Sequence, residues 1–171
     1  MLRIITVARI LIVLTFVSNV YAENIAHLNP AIPYDPQIKE INLSDAEWVK
    51  KLTPAQYDVL RKKGTERPFS GKYDHFNEDG TYICVACGNP LFSSKAKYDS
   101  KTGWPSFYEP LNANSIKTQD DYYLFFIKRT EVLCKRCSGH LGHVFEDGPR
   151  PTGLRYCMNS VALSFIPISG S

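Results

Sequence analysis

The pattern of hydrophobic and polar residues divides this chain into three parts. Residues 10–17 are apolar except for one threonine, residues 44–64 carry the signals of helix starts and stops, and residues 79–167 alternate short apolar runs with turn residues. Short strands separated by turns are typical of antiparallel sheets. The pattern therefore predicts a β-rich α+β domain that begins with short helices.

Two helix starts stand close together before the strands. Ser44 is followed three residues later by Glu47, which is the spacing of a capping box. Thr53 precedes a proline, so the second start combines a capping residue with proline at the first helical position. This second helix is expected to run through Leu60 and to end near Gly64.

Five short segments of the domain are predicted to be strands. Asp79 and Gly80 form a turn signal that leads into the first of them. The third and fourth are expected to be joined by a turn at residues 128–130. The five segments are residues 81–84, 90–92, 122–127, 131–134 and 161–166.

The apolar run near the N-terminus predicts a secretory signal peptide over residues 1–22. Arg3 and Arg9 are the only charged residues before it, and small or modest side chains follow at residues 20–22, where a signal peptidase would cut. An uncleaved membrane anchor is the alternative, although the run is shorter than the about 20 residues of a spanning helix. The protein is thus expected to be exported, to a periplasm or a secretory space, without stable membrane association after cleavage.

Cleavage after residue 22 would leave a lead, a domain and a tail. Residues 23–43 are rich in proline and predict a flexible lead, residues 44–167 form the domain, and residues 168–171 form the tail. Without the two arginines of the signal, 18 of the 20 basic residues remain against 17 acidic residues. This near balance gives no electrostatic reason to expect binding to nucleic acid or to an anionic membrane.

Cysteine spacing is the strongest chemical signal in the sequence. Four of the five cysteines form two C-x-x-C pairs, and four thiolates from two such pairs suit one structural zinc ion per chain. Gly88 and Gly139 follow the pairs and would allow the tight turns of two metal knuckles. In an oxidising compartment the same pairs could form disulfides, and the spacing alone leaves both interpretations open. The four candidate ligands are Cys84, Cys87, Cys134 and Cys137.

The fifth cysteine, Cys157, has no obvious partner and is a candidate nucleophile. In an extended segment side chains alternate between faces, so Arg155, Cys157 and Asn159 would share one face. A guanidinium two residues from a thiol is expected to favour the thiolate and to lower the pKa of Cys157. A small, inert core cysteine is the competing interpretation, which these polar neighbours weaken.

Two further stretches contain residue types suited to a reactive site. His140 and His143 lie three apart in a glycine-rich stretch, where they could be proton donors, metal ligands or packing residues of a loop. Because four cysteines already satisfy one zinc ion, the ligand role is the weakest of the three. Trp104 precedes a proline and could form an apolar wall for a small group such as a methyl, or pack in the core.

Three motifs together resemble the methionine sulfoxide reductase B family. They are GWPSF at residues 103–107, HLGHVF at residues 140–145 and GLRYCMNS at residues 153–160, and the two C-x-x-C pairs match the zinc-containing form of that family. The resemblance covers residues 43–167. It implies antiparallel, tent-like β-sheets and an enzyme that reduces the R epimer of methionine sulfoxide in oxidised proteins.

The resemblance also implies roles for the residues of these motifs. Cys157 would attack the sulfoxide sulfur as a thiolate and become a sulfenic acid. His143, with His140 nearby, would protonate the departing oxygen. Trp104 would receive the ε-methyl group of the substrate, with Phe145 as a second apolar wall.

Three other residues are implied to support this chemistry, and one position departs from the family pattern. Arg155 would hold the thiolate, Asn159 would order the donor region, and Asp147 would steady the histidines. Many members of the family carry a resolving cysteine at the position of Thr102.

With four cysteines assigned to zinc, no second thiol would remain to form a disulfide with Cys157. The sulfenic acid would then be reduced by an external thiol, either a thioredoxin-like protein or a small thiol. Two other functions stay open on the residues alone. One is a non-catalytic, zinc-stapled β binding module that uses Trp104 and Phe107 for recognition, and the other is a secreted, disulfide-bonded domain without metal.

Overall fold

The computed structural model of the protein describes residues 30–124 and 126–168. Within these ranges, no helix is long and apolar enough to cross a membrane. The predicted signal peptide, the first part of the predicted lead and residues 169–171 lie outside the described residues.

Both predicted helices are present. Helix α1 (Asp45–Lys51) and helix α2 (Pro54–Lys62) each begin with a complete capping box, with Ser44 and Thr53 as the caps. The second helix ends at Lys63, which takes a left-handed backbone conformation with φ of 58°. Burial of Trp48 and Leu60 fixes the two helices against the sheets.

Nine strands within the described residues form two antiparallel sheets. The smaller sheet has the strand order β2-β1-β9, and the larger sheet has the order β3-β4-β8-β7-β6-β5. This arrangement confirms the predicted β-rich fold with antiparallel sheets and short N-terminal helices. The strands are β1 (Gly80–Cys84), β2 (Pro90–Ser93), β3 (Lys97–Tyr98), β4 (Ser106–Phe107), β5 (Ile116–Tyr123), β6 (Ile127–Cys134), β7 (His140–Phe145), β8 (Arg155–Met158) and β9 (Leu163–Pro167).

Aromatic side chains fill the space between the two sheets. Phe92 of β2 stacks on Phe107 of β4 with ring centroids 4.4 Å apart, and Tyr82 of β1 meets the same ring edge-on at 4.9 Å. All three side chains are fully buried. Because rings of this size bury a large apolar area, these contacts hold β4 and its neighbour β8 in a fixed position.

The predicted position of one hairpin turn is wrong. The segment 122–127, predicted to be a strand, spans the turn, because β5 ends at Tyr123 and β6 begins at Ile127. The side chains of Leu124 and Phe126 point to solvent at the tip of the hairpin, where they are 55% and 77% exposed. Residues 128–130, predicted to be the turn, pair with β5 as part of β6.

The described part of the predicted lead, residues 30–43, is irregular but anchored. The backbone N–H of Ile32 donates to the carbonyl of Ala86 at 2.9 Å, and that of Ile41 donates to the carbonyl of Arg136 at 2.8 Å. The Arg136 side chain is buried and donates in turn to the carbonyl of Ile38 at 2.9 Å. These contacts place the segment over the two cysteine pairs.

Candidate active site and metal centre

Four cysteines from two strand ends converge at one buried point. Cys84 is the last residue of β1 and Cys134 is the last residue of β6. The four Sγ atoms lie within 4.8 Å of one another. Between the pairs, Sγ of Cys84 is 3.7 Å from that of Cys137, and Sγ of Cys87 is 3.6 Å from that of Cys134. Since β1 and β6 belong to different sheets, the cluster joins the two sheets.

This geometry fits one tetrahedral zinc ion. With Zn–S bonds of about 2.3 Å, the edge of the tetrahedron is about 3.8 Å, which is close to the separations observed between the pairs. All four cysteines are free and buried, so the thiols are not joined as disulfides. The cluster is therefore a structural zinc site, and its four protein ligands leave no open position for chemistry.

The two knuckles make their turns in the same way. The backbone N–H groups of Gly88 and Ser138 donate to the carbonyl of the first cysteine in their pair, at 2.8 and 2.9 Å. These two residues take the left-handed conformation, with φ of 71° and 57°. The turn role predicted for Gly139 is therefore wrong. A Cβ at Gly139 would lie 2.8 Å from Leu60 of α2, so its glycine is explained by close packing of the helix.

Six residues form one row across the larger sheet, each directly opposite the next. Directly opposed residues of antiparallel strands point to the same face, with Cβ atoms about 4.5–5.5 Å apart. The predicted nucleophile Cys157 and the predicted donor His143 are neighbours in this row. From β5 to β3, the row consists of Gln119, Glu131, His143, Cys157, Ser106 and Tyr98.

A β-bulge brings the second histidine to the same face. Residues three apart on a regular strand point to opposite faces, but the register with β6 shifts beside Leu141, which is the extra residue. The rings of His140 and His143 consequently lie 5.3 Å apart. Asn159 holds the bulge, because its backbone N–H and its Nδ2 donate to the Leu141 carbonyl at 2.8 and 3.0 Å.

A cavity of about 160 Å³ opens above this part of the sheet. It brings together the predicted nucleophile, one of the two histidines and both predicted apolar walls, Trp104 and Phe145. Gly142 lies between His143 and the bulge, and a Cβ there would collide with the carbonyl oxygen of Cys157, so only glycine allows β7 and β8 to approach at this point. The lining residues are Thr65, Trp104, Arg129, Gly142, His143, Phe145, Cys157, Met158 and Asn159.

Burial raises the pKa of the Cys157 thiol, contrary to the prediction from its neighbours. The charge of Arg155 lowers the pKa of the thiol, but burial outweighs it. Cys157 therefore rests as a thiol when the cavity contains no substrate, and a base must take its proton before it can attack.

The predicted partner of the histidines, Asp147, contacts Arg155 instead. Nε and Nη2 of Arg155 donate to the two carboxylate oxygens of Asp147, both at 2.8 Å. The guanidinium also lies 4.4 Å from the centroid of the Phe145 ring. Because Asp147 follows β7 and lies next to the start of β8, it reaches the arginine and not the histidines. It thus offsets part of the positive charge next to Cys157.

The contact predicted for Asp147 is made by Asp121 of β5. Oδ2 of Asp121 lies 2.9 Å from Nε2 of His143 and 2.6 Å from Nη2 of Arg129. The hydrogen bond from His143, with help from Arg129, lowers the pKa of Asp121 to about 2. Burial lowers the pKa of His143, while the carboxylate opposes this shift. The pair therefore holds a neutral imidazole next to a group that would stabilise its charged form.

His140 lies behind His143, only 2% exposed and outside the lining of the cavity. Its Nδ1 is 2.7 Å from Oε1 of Glu131, which is fully buried. Nζ of Lys63 and Nε2 of Gln119 each lie 2.7 Å from the other oxygen of this carboxylate. Burial alone would raise the pKa of Glu131, but these hydrogen bonds lower it overall. The network fixes His140 as a support of the site and sets it apart from the cavity.

Glu66 is a third carboxylate, after Asp121 and Glu131, whose role the sequence does not predict. Its two oxygens accept from the backbone N–H groups of Ser160 and Val161 at 2.7 and 2.9 Å. Its backbone carbonyl accepts from Nε1 of Trp104 at 3.1 Å. Glu66 thus ties the predicted apolar wall to the end of β8. Its distance in sequence from every motif hides this role.

Known proteins match most of this chain. The SelR domain family matches residues 52–167. The chain is 56% identical over 127 residues to the peptide methionine sulfoxide reductase MsrB of Methanosarcina barkeri, covering 74% of this chain and 89% of that protein. It is 58% identical over 124 residues to the protein of the same name from Thiobacillus denitrificans, covering 72% of this chain and 93% of the relative. The chain therefore belongs to the methionine sulfoxide reductase B family.

Proposed function

We propose that this protein reduces peptide-bound methionine-R-sulfoxide to methionine, with Cys157 as the nucleophile and an external thiol as the reductant. Membership of a reductase family supports an oxidoreductase and favours it over a zinc-stapled binding module. The observation that carries the proposal is the direct opposition of Cys157 and His143 on β8 and β7, at the base of an open cavity.

The first step is the transfer of a proton from Cys157 to His143. Burial raises the pKa of the thiol and lowers that of the imidazole, so both groups are neutral before the substrate binds. Because Nε2 of His143 is engaged by Asp121, Nδ1 is the nitrogen left to receive the proton. The Asp121 carboxylate stabilises the imidazolium that results.

The second step reduces the substrate. The Cys157 thiolate attacks the sulfoxide sulfur, the sulfoxide oxygen takes the proton from Nδ1 of His143, and the oxygen passes to Sγ as the substrate leaves as a sulfide. Sγ loses two electrons and becomes a sulfenic acid, while the substrate sulfur gains two. Proton donation to the oxygen is what makes its departure from the substrate possible.

Selection of the substrate rests on the two aromatic walls of the cavity. Trp104 and Phe145 offer apolar surface for the ε-methyl group, while His143 and Arg129 offer polar groups to the oxygen. One epimer places its methyl group against the aromatic walls and its oxygen against the polar groups, and the other epimer exchanges the two positions. This asymmetry and the family membership support the R epimer as the substrate.

Regeneration of Cys157 requires a thiol from outside the chain. The sequence has five cysteines, and four of them form the metal cluster. A thiol would attack Sγ of the sulfenic acid to give a mixed disulfide and water, and a second thiol would release Cys157. Intact mass after one turnover without reductant tests this step. We expect the gain of one oxygen, and the loss of two hydrogens would show an internal disulfide instead.

A stereo-resolved assay tests the function as a whole. The purified protein and Cys157→Ser would be given each epimer of a peptide methionine sulfoxide with dithiothreitol. We expect consumption of the R epimer alone, and no consumption of either epimer by the variant. Consumption of both epimers, or of neither by a folded, zinc-loaded protein, would contradict the proposal.

We also propose that the substrates are oxidised proteins outside the cytoplasm, and that the enzyme repairs them. The apolar run of residues 10–17 and the two arginines before it support export, and this segment precedes the matched family domain. N-terminal sequencing of the protein purified from its source tests this. A first residue of Glu23 is expected, and an intact N-terminus recovered with cytoplasmic proteins would contradict export.

A further inference from the structure

Three hydroxyl side chains form a hydrogen-bonded chain that ends at the nucleophile. Oγ of Ser106 donates to the carbonyl of Trp104 at 3.2 Å. Oγ of Ser100 lies 2.7 Å from Oγ of Ser106. Ser100 lies 2.8 Å from Oγ1 of Thr102, which is 3.9 Å from Sγ of Cys157. None of the three hydroxyl residues lines the cavity, so Cys157 stands between this hydroxyl chain and the substrate side.

The hydroxyl chain has a direction because each hydroxyl has one proton to donate. Ser106 donates to a carbonyl, which can only accept, so Ser106 must accept the proton of Ser100. Ser100 then accepts the proton of Thr102. This leaves Oγ1 of Thr102 as an acceptor next to Cys157. Every hydrogen bond of the chain is then made when Cys157 carries a proton that it can donate to Thr102.

We propose that this hydroxyl chain binds the neutral sulfenic acid of Cys157 and slows its further oxidation until an external thiol arrives. The inference rests on the proposed function, in which the sulfenic acid forms at each turnover. The sulfenic oxygen arrives on the cavity side, and rotation about the Cβ–Sγ bond turns it toward Thr102. Because Oγ1 lies 3.9 Å from Sγ, an oxygen that is bonded to Sγ and points to this side comes within the about 2.5–3.0 Å of an O–H···O hydrogen bond.

Protonation decides how fast the sulfenic acid is lost. Attack of the sulfenate sulfur on hydrogen peroxide forms a second S–O bond and breaks the O–O bond. The products are a sulfinic acid and water, and the sulfur loses two more electrons in an irreversible step. As with thiols, the anion is the stronger nucleophile. When the sulfenic acid donates its proton to Thr102, all the hydrogen bonds from Thr102 through the two serines to the Trp104 carbonyl are kept.

A sulfenate would need the opposite arrangement. Thr102, Ser100 and Ser106 would each rotate to donate toward Cys157, and the Trp104 carbonyl would lose its donor. The hydroxyl chain therefore favours the protonated acid over the anion. A hydroxyl at position 102 cannot form a disulfide as a resolving cysteine would, but it holds the intermediate in its less reactive state.

The test compares Thr102→Val, which keeps the shape of the side chain without the hydroxyl, with Thr102→Ser, which keeps the hydroxyl. Each purified, zinc-loaded protein makes one turnover on peptide methionine sulfoxide without reductant, and hydrogen peroxide is then added. Intact mass follows the conversion of the species with one added oxygen into the species with two. Methionine released in the first turnover is measured in the same samples.

We expect Thr102→Val to form the sulfinic acid about fivefold faster than the unchanged protein, and Thr102→Ser to match the unchanged protein. Ser100→Ala removes the middle hydroxyl and is expected to increase the rate by a smaller factor, which keeps the test informative if Thr102→Val folds poorly. Equal rates of sulfinic acid formation in all four proteins would overturn the inference. If no methionine is released, the proposed function fails, and peroxide alone can still make the sulfenic acid for this comparison.

Discussion

The metal cluster and the Cys157 site place the same side chain in opposite surroundings. In the cluster, four buried thiols face one another within 4.8 Å, at separations that suit one zinc ion. Cys157 is half-buried and faces a cavity, with hydroxyls, a guanidinium and an imidazole around it. Four thiolates held by zinc cannot act as nucleophiles, whereas the isolated thiol can be ionised by a neighbour.

The two sites are also connected through one strand. β6 ends in the ligand Cys134, and three residues earlier it carries Glu131, which holds His140 and lies opposite His143. Loss of the metal should therefore disturb the reactive site, because the end of β6 would no longer be fixed. Loss of the nucleophile should not disturb the metal. The dependence between the two regions is expected to run in one direction.

The largest expected effect is that of Cys157→Ser on activity. Turnover should fall by more than about 10³-fold, because the hydroxyl is a far weaker nucleophile than the thiol. Zinc content should stay at one ion per chain, and the midpoint of thermal unfolding should change by less than about 3 °C. Metal analysis and calorimetry check both. A loss of zinc from this variant would contradict the separation of the two regions.

The same chemical change at Cys134→Ser is expected to remove the metal. A structural zinc site contributes on the order of 10 kcal/mol of apparent binding free energy, and three ligands retain only part of it. Zinc content should fall well below one ion per chain, and the unfolding midpoint should fall by more than about 10 °C. Cys157→Ser is the matched control. Retention of full zinc and full stability would show that the cluster does not join the sheets as described.

Local signals allowed much of the zinc half to be predicted from the sequence. Both capping boxes and the four-cysteine cluster depend on residues at short, fixed spacing, which one sequence displays directly. The segment around Cys157, which the prediction treats as extended, is strand β8. Side-chain alternation correctly placed Arg155 and Cys157 on one face of β8.

Interactions that depend on strand register could not be predicted. Asp121 and Glu131 are ordinary acids in sequence, and they reach the histidines only because the β5–β6 hairpin turns between Tyr123 and Ile127. Exposed apolar residues at that turn suggested a strand instead. The bulge at Leu141, which turns His140 to the face of His143, has no local signal either. For the same reason the family resemblance places Asp147 with the histidines, whereas Asp147 pairs with Arg155.

A smaller effect on activity, in the reactive region alone, is expected from Asp121→Asn. The carboxylate opposes the lowering of the His143 pKa, so its removal should lower that pKa further. In the proposed mechanism the active form has one proton shared between Cys157 and His143, and transfer of this proton to the imidazole becomes less favourable as the His143 pKa falls. We expect the rate of the first turnover to fall by about 10- to 100-fold.

The pH profile gives this prediction its sign. On the acid side of the profile, His143 is protonated while Cys157 keeps its own proton, so activity should decrease there. Asp121→Asn should move this acid limb to lower pH. Asp120→Asn is the matched control, because Asp120 is an exposed neighbour that pairs with Lys128. The single-turnover rate as a function of pH is the measurement. An acid limb that stays in place would show that Asp121 does not act on the imidazole.

The smallest expected effect is that of Asp147→Asn, which tests the correction to the predicted role of Asp147. Loss of this carboxylate removes the charge that offsets Arg155, and the guanidinium already lowers the pKa of Cys157. The pKa of the thiol should therefore fall. The alkaline limb of the pH profile, where Cys157 loses its proton to solvent, should move to lower pH, with a change in rate of less than about threefold.

Alkylation of Cys157 by iodoacetamide as a function of pH measures this shift directly, and Glu146→Gln is the control because Glu146 is an exposed neighbour of Asp147. A shift of the acid limb instead would support the original assignment of Asp147 to the histidines. A rise in the pKa of Cys157 would show that Asp147 acts mainly by holding Arg155 close to the thiol. The direction in which the alkaline limb moves thus distinguishes two roles of Asp147. A move to lower pH means that its charge offsets Arg155, and a move to higher pH means that it positions Arg155.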